Sequence, residues 1–496
     1  MSVIIAGAGP TGLTLATELR RGGTDVLLLD RQPQRGVDGS RAAGLQPRTI
    51  ELFDQRGVAD RFVAVGSPSD LPNFAGIKLD YSSLPTRFAA LNILQSETEQ
   101  ILDELATDLG APVRWASEVT GVRQNADGVE VTVEGPGGTE TVSGSYLVAC
   151  DGGRSAIRKL LGIEFPGTDA TMVNLLGDVE LNDPPERPKQ LERHEAGLIS
   201  VLQIRPGWYR IIATQRERQA DPHEPVTFEE MRAAVEKIAG TDFGMHSARW
   251  LSSFTDATRQ AQRYRVGRVL LAGDAAHIHL PVGGQGLNMG IQNAFNLGWK
   301  LAAVLRGEAP DSLLDTYHDE RHAIDGEVLK LIRAQSLLVS ENPKAVDLSD
   351  VVARLIELDD VNRYLGNIQA GLDIRYPVPG THPLLGRRIP DADITTASGD
   401  RRVFELLRSA KPVLLDLSGT ASLVDAAAPW AGRIDVAAAE CPARTWEVPG
   451  VGTIPAPTAV LIRPDGHVAW ASEGEPNLAA LRHALTTWCG PAPDHR

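Results

Sequence analysis

One run constrains the fold of this 496-residue chain more than any other: Val3-Ile4-Ile5-Ala6-Gly7-Ala8-Gly9-Pro10-Thr11-Gly12. Its apolar opening reads as a buried parallel strand. Thr11 to Arg21 reads as a helix, with Leu13, Ala16 and Leu19 at helical spacing and Gly22-Gly23 as its stop. Between the two, Gly7 permits a tight turn, Gly9 lets the backbone approach a pyrophosphate, and Gly12 lets helix and strand pack closely. The helix start at Pro10-Thr11 offers free N–H groups and a partial positive charge to phosphates. Val26-Leu27-Leu28-Leu29 is a second strand, ending in Asp30-Arg31. A carboxylate there accepts from ribose hydroxyls and repels a 2′-phosphate. Gly7, Gly9, Pro10, Thr11, Gly12, Asp30 and Arg31 therefore form a candidate dinucleotide site, which alone does not separate FAD from NAD.

Two later segments point to FAD. Tyr146-Leu147-Val148-Ala149-Cys150 reads as a strand running into Asp151-Gly152-Gly153-Arg154, and Val269-Leu270-Leu271-Ala272 as another running into Gly273-Asp274. Each puts an aspartate and glycines at the carboxyl end of a parallel strand, where doubly wound sheets bind ligands. Pro281 and the loop Gly283-Gly284-Gln285-Gly286-Leu287-Asn288 follow. A helix then runs to Leu305 with Ile291, Ala294, Phe295, Trp299 and Ala302 along one face. Its first N–H groups would face whatever the loop cradles. At the pyrimidine edge of a flavin, the helix dipole would stabilise negative charge on the reduced ring.

Composition narrows the class. The 64 acidic residues exceed the 49 Lys and Arg, a net charge of −15 that disfavours nucleic acid and anionic membranes as partners. Apolar runs are strand-sized and Met1 leads straight into the first strand, so no signal peptide or membrane span is expected and the chain reads as soluble and cytoplasmic. Cys150, Cys441 and Cys489 are far apart with no CxxC pair, which argues against a disulfide framework or a zinc site. His277 and His279 lack an accompanying ligand cluster and do not read as metal ligands. Asp319-Glu320-Arg321-His322 reads as a solvated, ion-paired helix face.

The stretches "IIAGAGPTGL", "SRAAGLQPRTIEL", "ACDGGRSAIRKLLGI", "VLLAGDAAHIHLPVGGQGLNMGIQNAFNLGWKLA", "LLDTYHDERH" and "TAVLIRPDGHVAW" resemble the class A, FAD-dependent aromatic hydroxylases related to para-hydroxybenzoate hydroxylase. The likeness is strongest to the branch of angucycline hydroxylases and rifampicin monooxygenase, and it spans essentially the whole length. It implies an α/β fold: a Rossmann-like FAD-binding domain (1–70, 95–168 and 265–375), an inserted β-sheet substrate domain (71–94 and 169–264), and a thioredoxin-like C-terminal domain (385–496). "TMVNLLGDVEL", "GLISVLQI" and "GWYRIIAT" read as strands of the inserted sheet, and Tyr376 to Pro383 as a linker. Pro457 stands where the thioredoxin fold usually has a cis proline. Without CxxC, a structural or dimer-contact role suits that domain better than thiol exchange, and a homodimer stays open.

The resemblance also implies roles. FAD is bound permanently, with Asp30 on the adenosine ribose, Gln95 at the ribityl–phosphate region, Asp274 on the ribitol hydroxyls, and Pro281 with Gly284, Gly286, Leu287 and Asn288 lining the ring system. Arg41 lies beside the flavin and helps it swing toward NADPH, while Asp151 and Arg154 serve both dinucleotides. NADPH or NADH visits transiently, O2 adds to the reduced flavin as a hydroperoxide, and an aromatic ring is hydroxylated. No protein base is identified. Asn293 departs from the Asp usual in the family and is expected to matter little for the chemistry. Three readings follow: hydroxylation of a polycyclic aromatic polyketide in antibiotic biosynthesis, inactivation of rifamycin-type or other aromatic antibiotics, or a non-oxygenating FAD reductase or scaffold.

Overall fold

The computed structural model describes residues 2–36, 39–215, 225–340, 342–419 and 421–493. Its centre is a six-stranded sheet in the order Arg265–Val266, Val269–Leu271, Tyr146–Ala149, Ser2–Ala6, Asp25–Leu29, Val113–Arg114. Every neighbouring pair is parallel except the first, which is antiparallel. The register sets Val3 beside both Val26 and Tyr146, and Leu147 beside Val269. Four consecutive strands therefore end at one edge, and that edge gathers Gly7, Asp30, Asp151 and Gly273. The strands are apolar throughout because both faces are covered: Ile4, Ile5, Leu147, Leu270, Leu13 and Ile291 are all at most 1% exposed. Burying each such side chain contributes about 1.5–3 kcal/mol.

Helices Pro10–Arg21 and Gln285–Leu305 pack together over this sheet. Small residues let them meet. A Cβ added at Gly298 would stand 2.6 Å from Glu18 Cβ, and one at Gly290 would stand 2.2 Å from Thr11 Oγ1. The second layer is a five-stranded antiparallel sheet in the order Lys189–His194, Gly197–Arg205, Trp208–Gln215, Val173–Leu181, Met245–Thr255. Helix Phe228–Ala239 covers it with Met231, Ala234, Val235 and Ile238.

A third sheet runs Gly399–Arg402, Asp393–Thr396, Asp435–Glu440, Val413–Asp416, Ala459–Ile462, Val468–Ser472, with only the pair Val413–Asp416 and Asp435–Glu440 parallel. The turn joining its last two strands is inserted into the first layer. Arg48 Nη2 donates to the Asp465 carbonyl at 2.9 Å, Arg56 Nη2 to that of Pro464 at 2.8 Å, and Arg463 grips Glu320 at 2.5 and 2.9 Å. This corrects the expected solvated face on helix Asp315–Leu338. Glu320 and Arg321 are buried, because Glu320 meets Lys300 as well as Arg463 and Arg321 pairs with Asp325. Pairing is what makes the burial of such charges tolerable. The stretch after Arg375 is irregular, as a linker should be, yet Tyr376 is buried and accepts a hydrogen bond from Arg321 at 3.1 Å. No peptide bond among the described residues is cis, so Pro457 is trans, the form X–Pro bonds usually take.

Candidate active site

The first glycine loop divides its work between packing and vacancy. Gly7 has φ 107°, and a Cβ there would stand 2.2 Å from the Cys150 carbonyl oxygen; one at Gly12 would stand 1.9 Å from the Gly7 oxygen. Any side chain at either position would break the strand–helix contact. Gly9 differs: a Cβ there meets nothing within 4 Å, at the point where Pro10 opens the helix. That is open space beside free N–H groups, the shape a phosphate requires. Asp30 holds the loop in place, its Oδ2 accepting from Ala8 N at 2.7 Å and its Oδ1 from Gln32 N at 2.8 Å. A carboxylate has about four lone-pair directions, so two remain for ribose hydroxyls. Arg31 is exposed beside it.

The third segment crosses directly above this loop. Gly273 has φ 62°, and a Cβ on it would stand 2.5 Å from Thr11 Oγ1. Asp274 is exposed although Gly273 and Ala275 on either side are buried, so its carboxylate is turned out at the strand ends. Downstream, Gly283 and Gly284 take consecutive left-handed conformations (φ 70° and 65°) before the helix starts at Gln285. Asn288 locks this loop: Nδ2 donates to Gly284 O at 2.8 Å and Gly44 O at 3.3 Å, while Oδ1 accepts from Gln46 N at 2.8 Å. Pro281 and Gly284 face solvent, Gly286 and Leu287 are half-buried, and a Cβ at Gly284 would meet nothing. His279 packs against Gly286 with Nδ1 2.7 Å from the Leu280 carbonyl, and burial pushes its pKa down.

Arg41 stands at the seam between the two layers. Its Nη2 donates to Ser253 O at 3.1 Å, and its own carbonyl accepts from Arg210 Nη1 at 2.9 Å. Arg210 is fixed in turn by a bidentate pair with Asp178 at 2.8 and 2.9 Å. The Arg41 guanidinium is exposed at its edge, but partial burial lowers its pKa; Asp274 opposes that shift and Arg154 adds to it. Asp274 and Arg154 thus both act on the charge of Arg41. Gln95 braces the same loop, its backbone N donating to Ala42 O at 3.0 Å and its Nε2 to Glu99 at 2.7 Å. Asp151 Oδ2 accepts from Ile157 N at 3.2 Å, and its buried Oδ1 has no hydrogen-bond partner among the described residues.

These features fit FAD. An unfilled glycine at a helix N-terminus, an acid at the end of the second strand, an orphaned carboxylate oxygen and outward-facing charges all share one sheet edge. Several contributors had no signal in the sequence: Gln46 and Ser253 act through backbone contacts, and Arg210–Asp178 come from the other sheet. Asn293 did carry a signal, as a departure from the family pattern. It lies closer to the site than expected, since Gly273 N donates to its Oδ1 at 3.0 Å.

The family model for an FAD binding domain matches residues 1–331, and that for the aromatic-ring hydroxylase C-terminal region matches 382–492. The chain is 46% identical to a 12-dehydrotetracycline 5-monooxygenase/anhydrotetracycline 6-monooxygenase of Streptomyces rimosus subsp. rimosus, over 99% of each. It is 42% identical to a rifampicin monooxygenase of Streptomyces venezuelae, again over 99% of each. The structure of CabE, an aromatic hydroxylase from angucycline biosynthesis, superposes with a TM-score of 0.92 at 41% identity, over 99% of each chain.

Proposed function

Because the chain belongs to the FAD-binding family of aromatic-ring hydroxylases and is an FAD-dependent monooxygenase, we propose that it hydroxylates a polycyclic aromatic polyketide in antibiotic biosynthesis. NAD(P)H and O2 are the co-substrates. The observation that carries this reading is Arg41, bonded to Ser253 and Arg210 of the antiparallel sheet beside the edge where four strands end, with Asp274 and Arg154 both acting on its charge. Bound FAD supplies the redox and oxygen chemistry. The protein's share is placement. Gly9 and the N–H groups after Pro10 hold the pyrophosphate, and Asp30 takes the adenosine ribose, with Arg31 beside it. Asp274 receives the ribitol hydroxyls, while Gln95 supports the ribityl–phosphate region. Pro281, Gly284, Gly286, Leu287 and Asn288 line the ring system, and the helix they open into favours negative charge on it. Asp151 Oδ1 has lone pairs to offer either dinucleotide, with Arg154 near it. Arg41, anchored to Ser253 and Arg210 of the second sheet, couples ring position to the substrate layer.

We further assign 1–70, 95–168 and 265–375 to FAD binding, 71–94 and 169–264 to substrate binding, and 385–496 to a thioredoxin-like domain. Its mixed strand order, with one parallel pair flanked by antiparallel strands, supports the last.

The second reading, inactivation of rifamycin-type antibiotics, draws on the 42% identity to a rifampicin monooxygenase. NADPH oxidation under air, followed with anhydrotetracycline-like, angucycline-like and rifamycin substrates, separates the two. Stimulated oxidation with a hydroxylated polyketide product supports the first reading, and stimulation by rifamycin alone supports the second. Oxidation without any oxygenated product would leave a reductase.

A further inference from the structure

Beneath the Gly273 turn lies a buried polar cluster to which the roles above assign no task. Asn293 Oδ1 accepts from Gly273 N at 3.0 Å and stands 2.9 Å from His277 Nε2, and Asn293 Nδ2 donates to Asp325 Oδ2 at 3.0 Å. Chemistry fixes the direction of this amide: Gly273 N–H requires an oxygen, and the Asp325 carboxylate requires a donor. His277 Nε2 must then carry the proton that it donates, and its Nδ1 has no hydrogen-bond partner among the described residues. Asp325 also receives Arg321 on Oδ1 at 2.5 Å and the Tyr264 hydroxyl on Oδ2 at 3.2 Å. Asn293, Asp325, Arg321, His277 and Tyr264 are all fully buried. Asp325 therefore has one permanent cation, Arg321, on its carboxylate, and His277 Nε2 stands 3.6 Å from it. A second carboxylate at 293 would face Asp325 across a hydrogen-bond distance with no added positive charge, and buried like charges cannot both stay ionised.

We propose that Asn293 and Asp325 are a single-charge positioning pair that sets the Gly273–Asp274 turn for FAD: one position carries the carboxylate and the other the amide, in either order. The inference rests on the FAD reading of that turn and extends it. Both residues are fully buried beneath the turn and are given no contact with the cofactor. Both act through Gly273 N and the carboxylate beside it. In the exchanged arrangement a carboxylate at position 293 still accepts from Gly273 N and His277. An amide at position 325 donates to that carboxylate while its own oxygen accepts from Arg321. These four hydrogen bonds survive the exchange and the charge count is unchanged; only the Tyr264 hydroxyl, which would meet the amide nitrogen, loses its acceptor at position 325.

The test uses the full chain, as holoenzyme and after flavin removal, in three forms: wild type, Asn293→Asp, and Asn293→Asp combined with Asp325→Asn. FAD affinity is read by flavin fluorescence quenching, and the melting temperature of the flavin-free protein is read beside it. Asn293→Asp is expected to weaken FAD binding at least roughly tenfold, and the exchanged double variant to restore it to within about threefold of wild type. If the single variant does not fold, the double variant decides alone, and it is expected to fold and stay yellow. The proposal is overturned if the single variant binds FAD as wild type does. It is equally overturned if the double variant binds no better than the single, or if only the flavin-free melting temperature moves while affinity holds. Failure of wild type itself to bind FAD would instead sink the reading of the site.

Discussion

At the scale of single residues, the three glycines of the first loop make separable demands. Gly12 and Gly7 have backbone atoms where a Cβ would go, while Gly9 has nothing within 4 Å. Gly9→Val is therefore expected to leave the melting temperature within about 2 °C of wild type while FAD affinity falls by an order of magnitude or more, since only the phosphate space is filled. Gly12→Val should instead fail to accumulate as folded protein. Equal loss of stability in the two variants would show that Gly9 is structural. Asp274→Ala should release FAD on dialysis; a stoichiometrically yellow variant would remove the ribitol assignment. Arg41 has a different task. Its carbonyl and guanidinium are both bonded to the second sheet, so Arg41→Ala is expected to slow flavin reduction by NADPH several-fold more than it weakens FAD binding. Stopped-flow reduction at the wild-type rate would contradict that role.

At the scale of elements, the parallel strands, the two long helices and the glycine turns that follow the strands were legible because period and glycine placement report directly on backbone geometry. Contacts made between distant segments were not. Pro464-Asp465-Gly466 has the composition of an exposed hairpin turn, yet its carbonyls serve Arg48 and Arg56 and Asp465 is buried. Glu320 looked like a surface charge because its partners, Arg463 and Lys300, sit on other elements, while Arg321 pairs with Asp325 one turn along its own helix and is buried only by what packs over that turn. Gln46 likewise showed no pattern; only the fold brings it to Asn288. The hairpin makes a quantitative statement possible. Arg463→Met would leave Glu320 with Lys300 as its remaining charged partner, and breaking one member from a buried ion network costs about 3–5 kcal/mol. Chemical denaturation of the holoenzyme should register a loss of that size; a change below about 1 kcal/mol would mean that the turn is not a brace.

For the molecule as a whole, the same interface contributes to the response to acid. Burial presses His467 from its ordinary 6.5 down to about 4, against the pull of Asp465. The folded state refuses a proton that the unfolded chain accepts, so this contribution is complete above pH 6.5 and is lost as pH falls toward 4. Glu320 is raised by burial, but Arg463 and Lys300 outweigh that and hold it at about 2 rather than 4.5, so its contribution disappears only below pH 4.5. Between roughly pH 7 and 5 the His467 effect acts without the other and amounts to about 2 kcal/mol. The change in stability between the two pH values should be smaller by about that amount in His467→Phe than in wild type, the remainder coming from other histidines lowered by burial, His279, His322 and His382. An equal slope in both would place the acid sensitivity elsewhere.

The central claim is that Gly7–Gly12, Asp151–Arg154 and Gly273–Asn288 build one flavin pocket. Titrating flavin-free protein with FAD, and following the visible spectrum of the bound cofactor, tests it directly. The account requires saturation at one FAD per chain, with the bound spectrum lost in Asp274→Ala; a wild-type protein that remains colourless after reconstitution, or that saturates at any other ratio, would contradict it.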